Sequence, residues 1–427
     1  MNMTPLQKLK RYGCGFAAGL AAIHPASSLA EGFRVSPPGA FSLGRAGGKI
    51  AHVDDASAVG QNPANLVDLQ NAEAQVGSNG IYVDMNHVSP GGVKTENRDS
   101  WNFMPTIFAA FPIKENRFAA GIGMSVPFGL SSSWDSTPAT PFHFAVPNKT
   151  EMKTINLNPS VAYRLNDWLS VGAGLDVMWS ELTLEQHYPW MVFPGSTGAE
   201  PQGTAKIKGD GTGVGANLGM TIQLAEHHRL AFSYRSQMDV GYSGKFTVDG
   251  ITPAAAAFGA TPSSKMTTEV QFPNILAVGY GVQLCDTVRI EADFEWVQFS
   301  RFQSLDLNIA NNAFLLPTTS IQEKWNNSFT AGIGGDWRFS ENWTARAGYM
   351  FYDSPIRDFY FSPAIPDSDQ HVITVGLSYQ SKHHGFEVAY GYDFFDDRNI
   401  TANQNPAFLG KYEIGMHLFA LAYRYRF

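Results

Sequence analysis

The sequence predicts an all-β protein: a 14-stranded antiparallel transmembrane β-barrel with an N-terminal hatch, or plug, inside its lumen. Three observations point there. The composition is aromatic but poor in charge, residues 71–427 alternate polar and apolar with a period of two, and the links between the alternating stretches are short and long in turn. Aromatics make up 13% of the 427 residues and charged residues 16%, with 41 glycines, whereas soluble domains carry about 25% charged residues. Mean hydropathy is −0.16, and no segment after the leader approaches the roughly 18 apolar residues that a membrane helix needs. A barrel needs only alternate residues to be apolar.

Residues 1–30 read as a secretory signal peptide. Lys8, Lys10 and Arg11 precede the apolar run Cys14 to Ile23, and Ser28-Leu29-Ala30 supplies a small-residue cleavage site. Cys14 opens the apolar run instead of closing it, which argues against a lipid anchor. Cleavage removes three positive charges and no acid, taking the formal charge from −8 to about −11, and leaves Cys285 as the one cysteine. No disulfide can form within such a chain. Its acidic balance argues against nucleic acid as a partner.

Residues 31–70 form the expected hatch. From Ser42 to Leu66 the chain has neither helical nor strand periodicity and is rich in Gly, Asp and Asn, so it cannot build a core alone. Residues 71–427 form the expected barrel. In the second strand Trp101, Phe103, Ile107, Ala109, Phe111 and Ile113 share a face; in the third, Phe118, Ala120, Ile122, Met124, Val126 and Phe128 do. Later stretches set Ile155, Leu157, Val161 and Tyr163 against Asn156, Asn158, Ser160 and Arg164, and Val288, Ile290, Ala292 and Phe294 against Arg289, Glu291, Asp293 and Glu295. One face suits lipid and the other a polar interior.

Six links are short, near 114–117, 166–167, 226–228, 286–287, 340–342 and 381–384. Seven are long, near 86–100, 131–150, 186–204, 243–266, 300–322, 353–369 and 396–410. Strict alternation is the pattern of up-and-down strands with periplasmic turns at one end and extracellular loops at the other. Phe419, Leu421, Tyr423, Tyr425 and Phe427 lie on one face of the last strand. A C-terminal aromatic ending such a strand resembles the signal read by the barrel-assembly machinery of bacterial outer membranes.

With the barrel argued, the hatch can be compared. Leu43-Gly44-Arg45-Ala46, then Asp54-Asp55-Ala56-Ser57, then Asn62-Pro63-Ala64 resemble, in order and spacing, the hatch of the FadL/TodX family of outer-membrane long-chain fatty acid and hydrocarbon transporters. Val126-Pro127-Phe128-Gly129-Leu130, Gly209-Asp210-Gly211 leading to Tyr234-Arg235-Ser236, and Ser362-Pro363-Ala364-Ile365-Pro366-Asp367 resemble the family as well. The resemblance implies a fourteen-stranded outer-membrane barrel, no cofactor, no enzymatic activity, and passive uptake of a hydrophobic small molecule. The first expected cargo is a long-chain fatty acid; aromatic or alkane hydrocarbons are an alternative, and a structural or adhesive barrel is another. Outer-membrane lipid and lipopolysaccharide are expected neighbours of a monomer.

Hatch candidates are Leu43, Gly44, Arg45, Ala46, Asp54, Asp55, Asn62, Pro63 and Ala64. Asn62-Pro63-Ala64 should make a rigid turn, proline fixing one dihedral and asparagine satisfying nearby backbone. Two outer loops are apolar for segments facing water, and Tyr188, Trp190, Met191, Val192 and Phe193 with Ile251 and Phe258 are the candidate capture residues. Pro127, Phe128 and Gly129 interrupt a regular strand, since proline lacks a ladder donor and glycine marks bulges; the resemblance implies a lateral opening there. A fatty acid needs a cation for its carboxylate, for which Arg301, Lys324, Lys206 and Lys208 are the candidates. The positions matching the family's basic contacts hold Gln186 and Asn326. The pairs His227-His228 and His383-His384 lack a third ligand, so no metal site is expected, and the glycines of 209–219 should line the interior.

Overall fold

The computed structural model describes residues 31–113 and 117–427. The expected signal peptide lies outside the described residues. Fourteen antiparallel wall strands follow one another in chain order. They are β1 (Glu73–Val88), β2 (Trp101–Ile113), β3 in two parts (Phe118–Ser125 and Leu130–Ser133), β4 (Lys149–Asn166), β5 (Leu169–Tyr188), β6 (Gly203–Ala225) and β7 in two parts (His228–Arg235 and Met238–Val248). Then come β8 in two parts (Ser263–Phe272 and Ile275–Cys285), β9 (Val288–Val297), β10 (Ser328–Arg338), β11 (Trp343–Tyr352), β12 (Gln370–Gln380), β13 (His384–Phe395) and β14 (Gly410–Arg426). Each pairs with its neighbour in sequence, and β1 pairs with β14 from Glu73↔Arg426 to Val88↔Lys411, which closes the barrel. Closure leaves no free edge to the membrane.

The alternation resolves as expected on most strands. Leu157, Val161 and Tyr163 are exposed on the outer face of β4, while Asn156, Asn158 and Ser160 are buried inside. On β9, Ile290 and Phe294 face out and Glu291, Asp293 and Glu295 are buried. The third strand departs from expectation. Val126 and Phe128, expected on the lipid face, are buried, because regular pairing stops after Ser125 and resumes only at Leu130. Pro127, with no N–H, sits in the break.

Residues 31–72 thread the lumen and have no sheet of their own, so their backbone must find partners on the wall. Most come from inward-facing side chains. Ile50 N–H and Ala51 N–H donate to Glu291 Oε1 at 2.7 and 2.6 Å, and His52 N–H to Oε2 at 3.0 Å. Lys49 N–H donates to Asp293 Oδ2 at 2.6 Å, and its ammonium pairs with Glu295. Arg45, wholly buried, pairs with Glu291 at 3.3 Å and with Asp336 at 3.0 Å. Asp54 pairs with Arg289 of the wall, whereas Asp55 Oδ1 accepts from Ser57 N–H at 3.0 Å.

Asn62 accepts from Ala64 N–H at 3.1 Å and so caps the short 3-10 helix Pro63–Asp68. Its amide donates to Ile50 O at 3.0 Å and Thr221 at 3.2 Å. The helix ends near the short-turn mouth, where Asp68 pairs with Arg164 at 2.7 Å and with Arg229. Wall glycines let the turn come close. A Cβ on Gly172 of β5 would lie 2.5 Å from Ala64 N, and one on Gly219 of β6 would lie 2.9 Å from it. The glycines at 209, 211, 213, 215 and 219 share the inward parity of β6, as expected.

Removing Glu291 leaves three buried backbone donors without their acceptor and Arg45 with only Asp336 among the described carboxylates. Glu291→Ala is expected to loosen residues 45–52 by about 3 kcal/mol or more, read as faster amide exchange there and greater leakage of small polar solutes into proteoliposomes. Gly172→Val forces the wall against the Pro63 turn and is expected to cost about 1–3 kcal/mol. A lower melting temperature in detergent, with exchange raised at residues 62–66, checks it.

Candidate functional site

The upper half of the lumen, toward the long loops, is filled by one large apolar cluster. Its hub is Phe33 of the hatch. The Phe33 ring lies 5.2 Å from Trp325, 5.3 Å from Phe299, 5.4 Å from Phe272 and Phe302, and 6.1 Å from Phe128. Most of these contacts are edge-to-face, the arrangement favoured by the ring quadrupole. The backbone holds the hub in place: Gly32 N–H donates to Asp367 Oδ2 at 3.2 Å, and Gly129 N–H donates to Phe33 O at 2.7 Å.

That second bond is part of a larger exchange. In the break of β3, Val35 N–H donates to Pro127 O at 3.3 Å and Arg34 forms a bridge with Phe128. The hatch thus takes the place of a wall neighbour. On the other side, β2 pairs with β3 only from Ile107↔Met124 to Ile113↔Phe118. The stretch Trp101–Thr106 pairs with β1 alone, until Asn97 and Trp134 bridge nearer the loops. The wall therefore has a gap in its ladder between Thr106 and the Pro127 segment. Breaks in β7 and β8 are mended differently, by Asn274 accepting from Tyr234 OH at 2.7 Å and Gln237 N–H at 3.0 Å. A cavity of about 80 Å³ lies just inside the β3 break, lined by Arg34, Lys49, Arg235, Glu295, Pro127 and Phe128 among others. It is large enough for a few waters.

The outer-loop candidates divide. Val192 and Phe258 are 73% and 66% exposed. Phe193 bridges inward, 5.8 Å from Phe258 and 5.9 Å from Trp190. Trp190, expected in the exposed patch, is wholly buried and donates through Nε1 to Asp249 O at 2.7 Å, so it anchors the loop. Tyr188 is half-buried and donates to Leu315 O at 2.9 Å. Met191 and Ile251 are half-buried.

The four cations are not brought together. Lys206 and Lys208 fall on the outward parity of β6, opposite the glycines, and pair with Glu185 and Glu181 at 3.1 Å each. They face away from the lumen, contrary to expectation. Arg301 pairs with Asp239 at 2.7 Å. Lys324, next to Trp325 and with a positive φ of 50°, has no ion-pair partner among the described residues. Gln186 donates to Phe144 O at 3.2 Å, and Asn326 is exposed.

Sequence reasoning missed Phe33, Phe272, Phe299, Phe302 and Trp325 as a unit. It also missed Glu323, whose Oε2 accepts from Trp325 Nε1–H at 3.0 Å. Burial pushes the Glu323 carboxyl up from 4.5 to about 8, the indole bond offsetting only part. Glu31 rises to about 7 by burial, against the pull of Arg34 and Ser328. A carboxyl with a raised pKa stabilises the closed cluster fully below its ordinary value near 4.5, and this is lost as pH climbs through the raised value. Amide protection of residues 31–35 and 323–325, corrected for intrinsic exchange, is therefore expected to fall between about pH 4.5 and about pH 8. Glu323→Gln should remove the part of that fall above about pH 7.

Comparison with known proteins agrees with this architecture. The chain is 25% identical over 412 residues to the long-chain fatty acid transport protein of Escherichia coli (strain K12), covering 88% of this chain and 90% of that protein. It is 28% identical over 396 residues to the 47 kDa outer membrane protein of Pasteurella multocida (strain Pm70), with 88% and 90% covered. Among solved structures, a Pseudomonas aeruginosa FadL homologue shares the fold with a TM-score of 0.79 at 23% identity, over 93% of this chain and 100% of that one. The P. putida toluene transporter TodX does so with a TM-score of 0.72 at 18% identity, over 92% and 99%. The family described as "Outer membrane protein transport protein (OMPP1/FadL/TodX)" matches residues 21–427, and the chain, a β-barrel of the bacterial outer membrane, belongs to that family.

Proposed function

We propose that the barrel imports hydrophobic molecules without an energy source, with long-chain fatty acids as the first cargo. The observation that carries this reading is a run of apolar side chains from water to the wall. It starts at exposed Val192 and Phe258, continues through Phe193, and lies against the same apolar cluster that holds Phe33 and Phe128. Phe128 borders the gap in the β2–β3 ladder. Cargo caught on the loops would enter the cluster by displacing Phe33, and that movement would pull residues 33–35 off the Pro127 segment. Residues 31–70 act as the gate in this reading, with the Asn62-Pro63-Ala64 turn as its fixed lower end. The gap beside Pro127, Phe128 and Gly129 is the lateral exit into the bilayer.

Lys324 is the proposed partner of a fatty acid carboxylate, having no ion pair among the described residues and being adjacent to Trp325. A second reading, uptake of aromatic or alkane hydrocarbons, is favoured by the engagement of Arg301, Lys206 and Lys208 in other ion pairs. Uptake of labelled oleate and labelled toluene by cells with and without the protein separates the two. Faster oleate entry that falls in Lys324→Gln supports the first, and faster toluene entry indifferent to Lys324 supports the second. Equal entry of both with and without the protein overturns import altogether. Replacing both Val192 and Phe258 with serine is expected to lower uptake about tenfold at limiting cargo, while Trp190→Ser should act through loop stability and lower the amount of folded protein.

A further inference from the structure

The outward faces of β4 to β6 near the long loops carry lysines matched by acids: Lys149 stands opposite Glu185, Lys206 pairs with Glu185 and Lys208 with Glu181. The pattern changes on β7 and β8. Lys208 stands directly opposite Lys245, and Lys245 directly opposite Lys265, so three lysines lie side by side across three strands. All three are exposed, and their chain neighbours Ile207, Phe246 and Met266 are buried, which sends the lysines outward. Neither Lys245 nor Lys265 has an ion-pair partner among the described residues. The outward acid Asp210 sits two residue pairs further from the rim and makes no ion pair with them among the described residues. Like charges directly opposite on paired strands are destabilising, so the row calls for an anion from outside.

A second feature adjoins it. Asn308 and Ile309 pair with Thr267 and Met266, laying a loop along the edge of β8. Between that loop and the strand runs a groove of about 470 Å³ lined by Lys265, Thr267, Leu307, Ile309, Ala310 and Ala313 among others. Lysines at one end and an apolar floor beside them match an amphiphile with an anionic head.

We propose that this face binds a phosphate-bearing lipid of the outer leaflet, with Lys245 and Lys265 on the phosphate, Lys208 beside them held by Glu181, and the groove along Leu307 and Ile309 holding an acyl chain. The occupant is a lipid, not a free anion, because the groove continues from the charge. The lysines face away from the lumen, and the proposal is independent of the import reading.

The test uses the full barrel in detergent, titrated with diphosphorylated lipid A, its dephosphorylated form, and inorganic phosphate, with bound lipid counted by native mass spectrometry. Wild type should retain diphosphorylated lipid A through moderate salt. Lys245→Gln and Lys265→Gln should each weaken retention roughly fivefold, with melting temperature unchanged or raised as like-charge repulsion is relieved. Lys94→Gln, which removes an exposed lysine already paired with Glu96, should leave retention unchanged. Ala310→Trp, filling the groove, should weaken lipid retention as well. Equal retention of lipid A by the Lys245/Lys265 double variant overturns the proposal. Equal binding of the dephosphorylated lipid, or full competition by inorganic phosphate, overturns it too: the first leaves only an apolar groove and the second only an anion site.

Discussion

Three consecutive backbone N–H groups of the hatch, those of Ile50, Ala51 and His52, end on one carboxylate, Glu291. The arrangement follows from a single constraint. A segment without a sheet or a long helix, enclosed in a lumen, exposes backbone donors and acceptors that must all be paired. Side chains of the wall supply what a neighbouring strand would. β9 brings Arg289, Glu291, Asp293 and Glu295 inward at alternate positions, and each of them holds part of the hatch. Arg45 then offsets the buried charge of Glu291 and shares Asp336 with Arg289.

The break in β3 answers to the same constraint from the opposite direction. Where Pro127 interrupts the wall, the backbone of the break needs partners, and the hatch residues Phe33 and Val35 provide them. Wall and hatch are therefore each incomplete without the other. The aromatic hub at Phe33 is one residue from Gly32, which Asp367 holds, and directly on the segment that mends the wall. In the proposed reading, displacing the ring would act on the ladder gap through two hydrogen bonds, with no longer-range device needed to couple them.

Much of this was legible in the sequence. Period-two alternation and link lengths gave the strand number because both follow from the pleat and from the two unlike ends of a membrane barrel. The side of Lys206 and Lys208 was legible too, since they alternate with glycines that had been placed inside; parity alone sends them out. The inward turn of Val126 and Phe128 was not. They keep the apolar phase of β3, and only pairing of the hatch with the Pro127 segment, a contact across some ninety residues of chain, turns them inside. Trp190 shows a related limit: an apolar loop residue and an apolar loop anchor read alike until Asp249 is seen to accept its indole proton. The Phe33 cluster draws on five separate stretches of chain, so no local pattern marks it.

The distribution of charge in the upper lumen bears on what a passive carrier can afford to bind. Moving a hydrocarbon chain from water into an apolar cluster gains about 0.8 kcal/mol per methylene, and moving it into a bilayer gains a similar amount. Passage from one to the other is then nearly level, and a carrier that relies on apolar contact holds its cargo without trapping it. A desolvated ion pair changes that balance, because leaving it strands a buried charge at a cost of several kcal/mol. Of the cations lining the cavity inside the β3 break, Arg34 and Lys49 are matched by Glu295 and Arg235 by Asp176; under the proposed lateral exit, a carboxylate would meet no deep well there. Lys324 has no ion-pair partner among the described residues; in the proposed reading, a weak electrostatic hold there would select an acid before its chain is buried and would not retard its release.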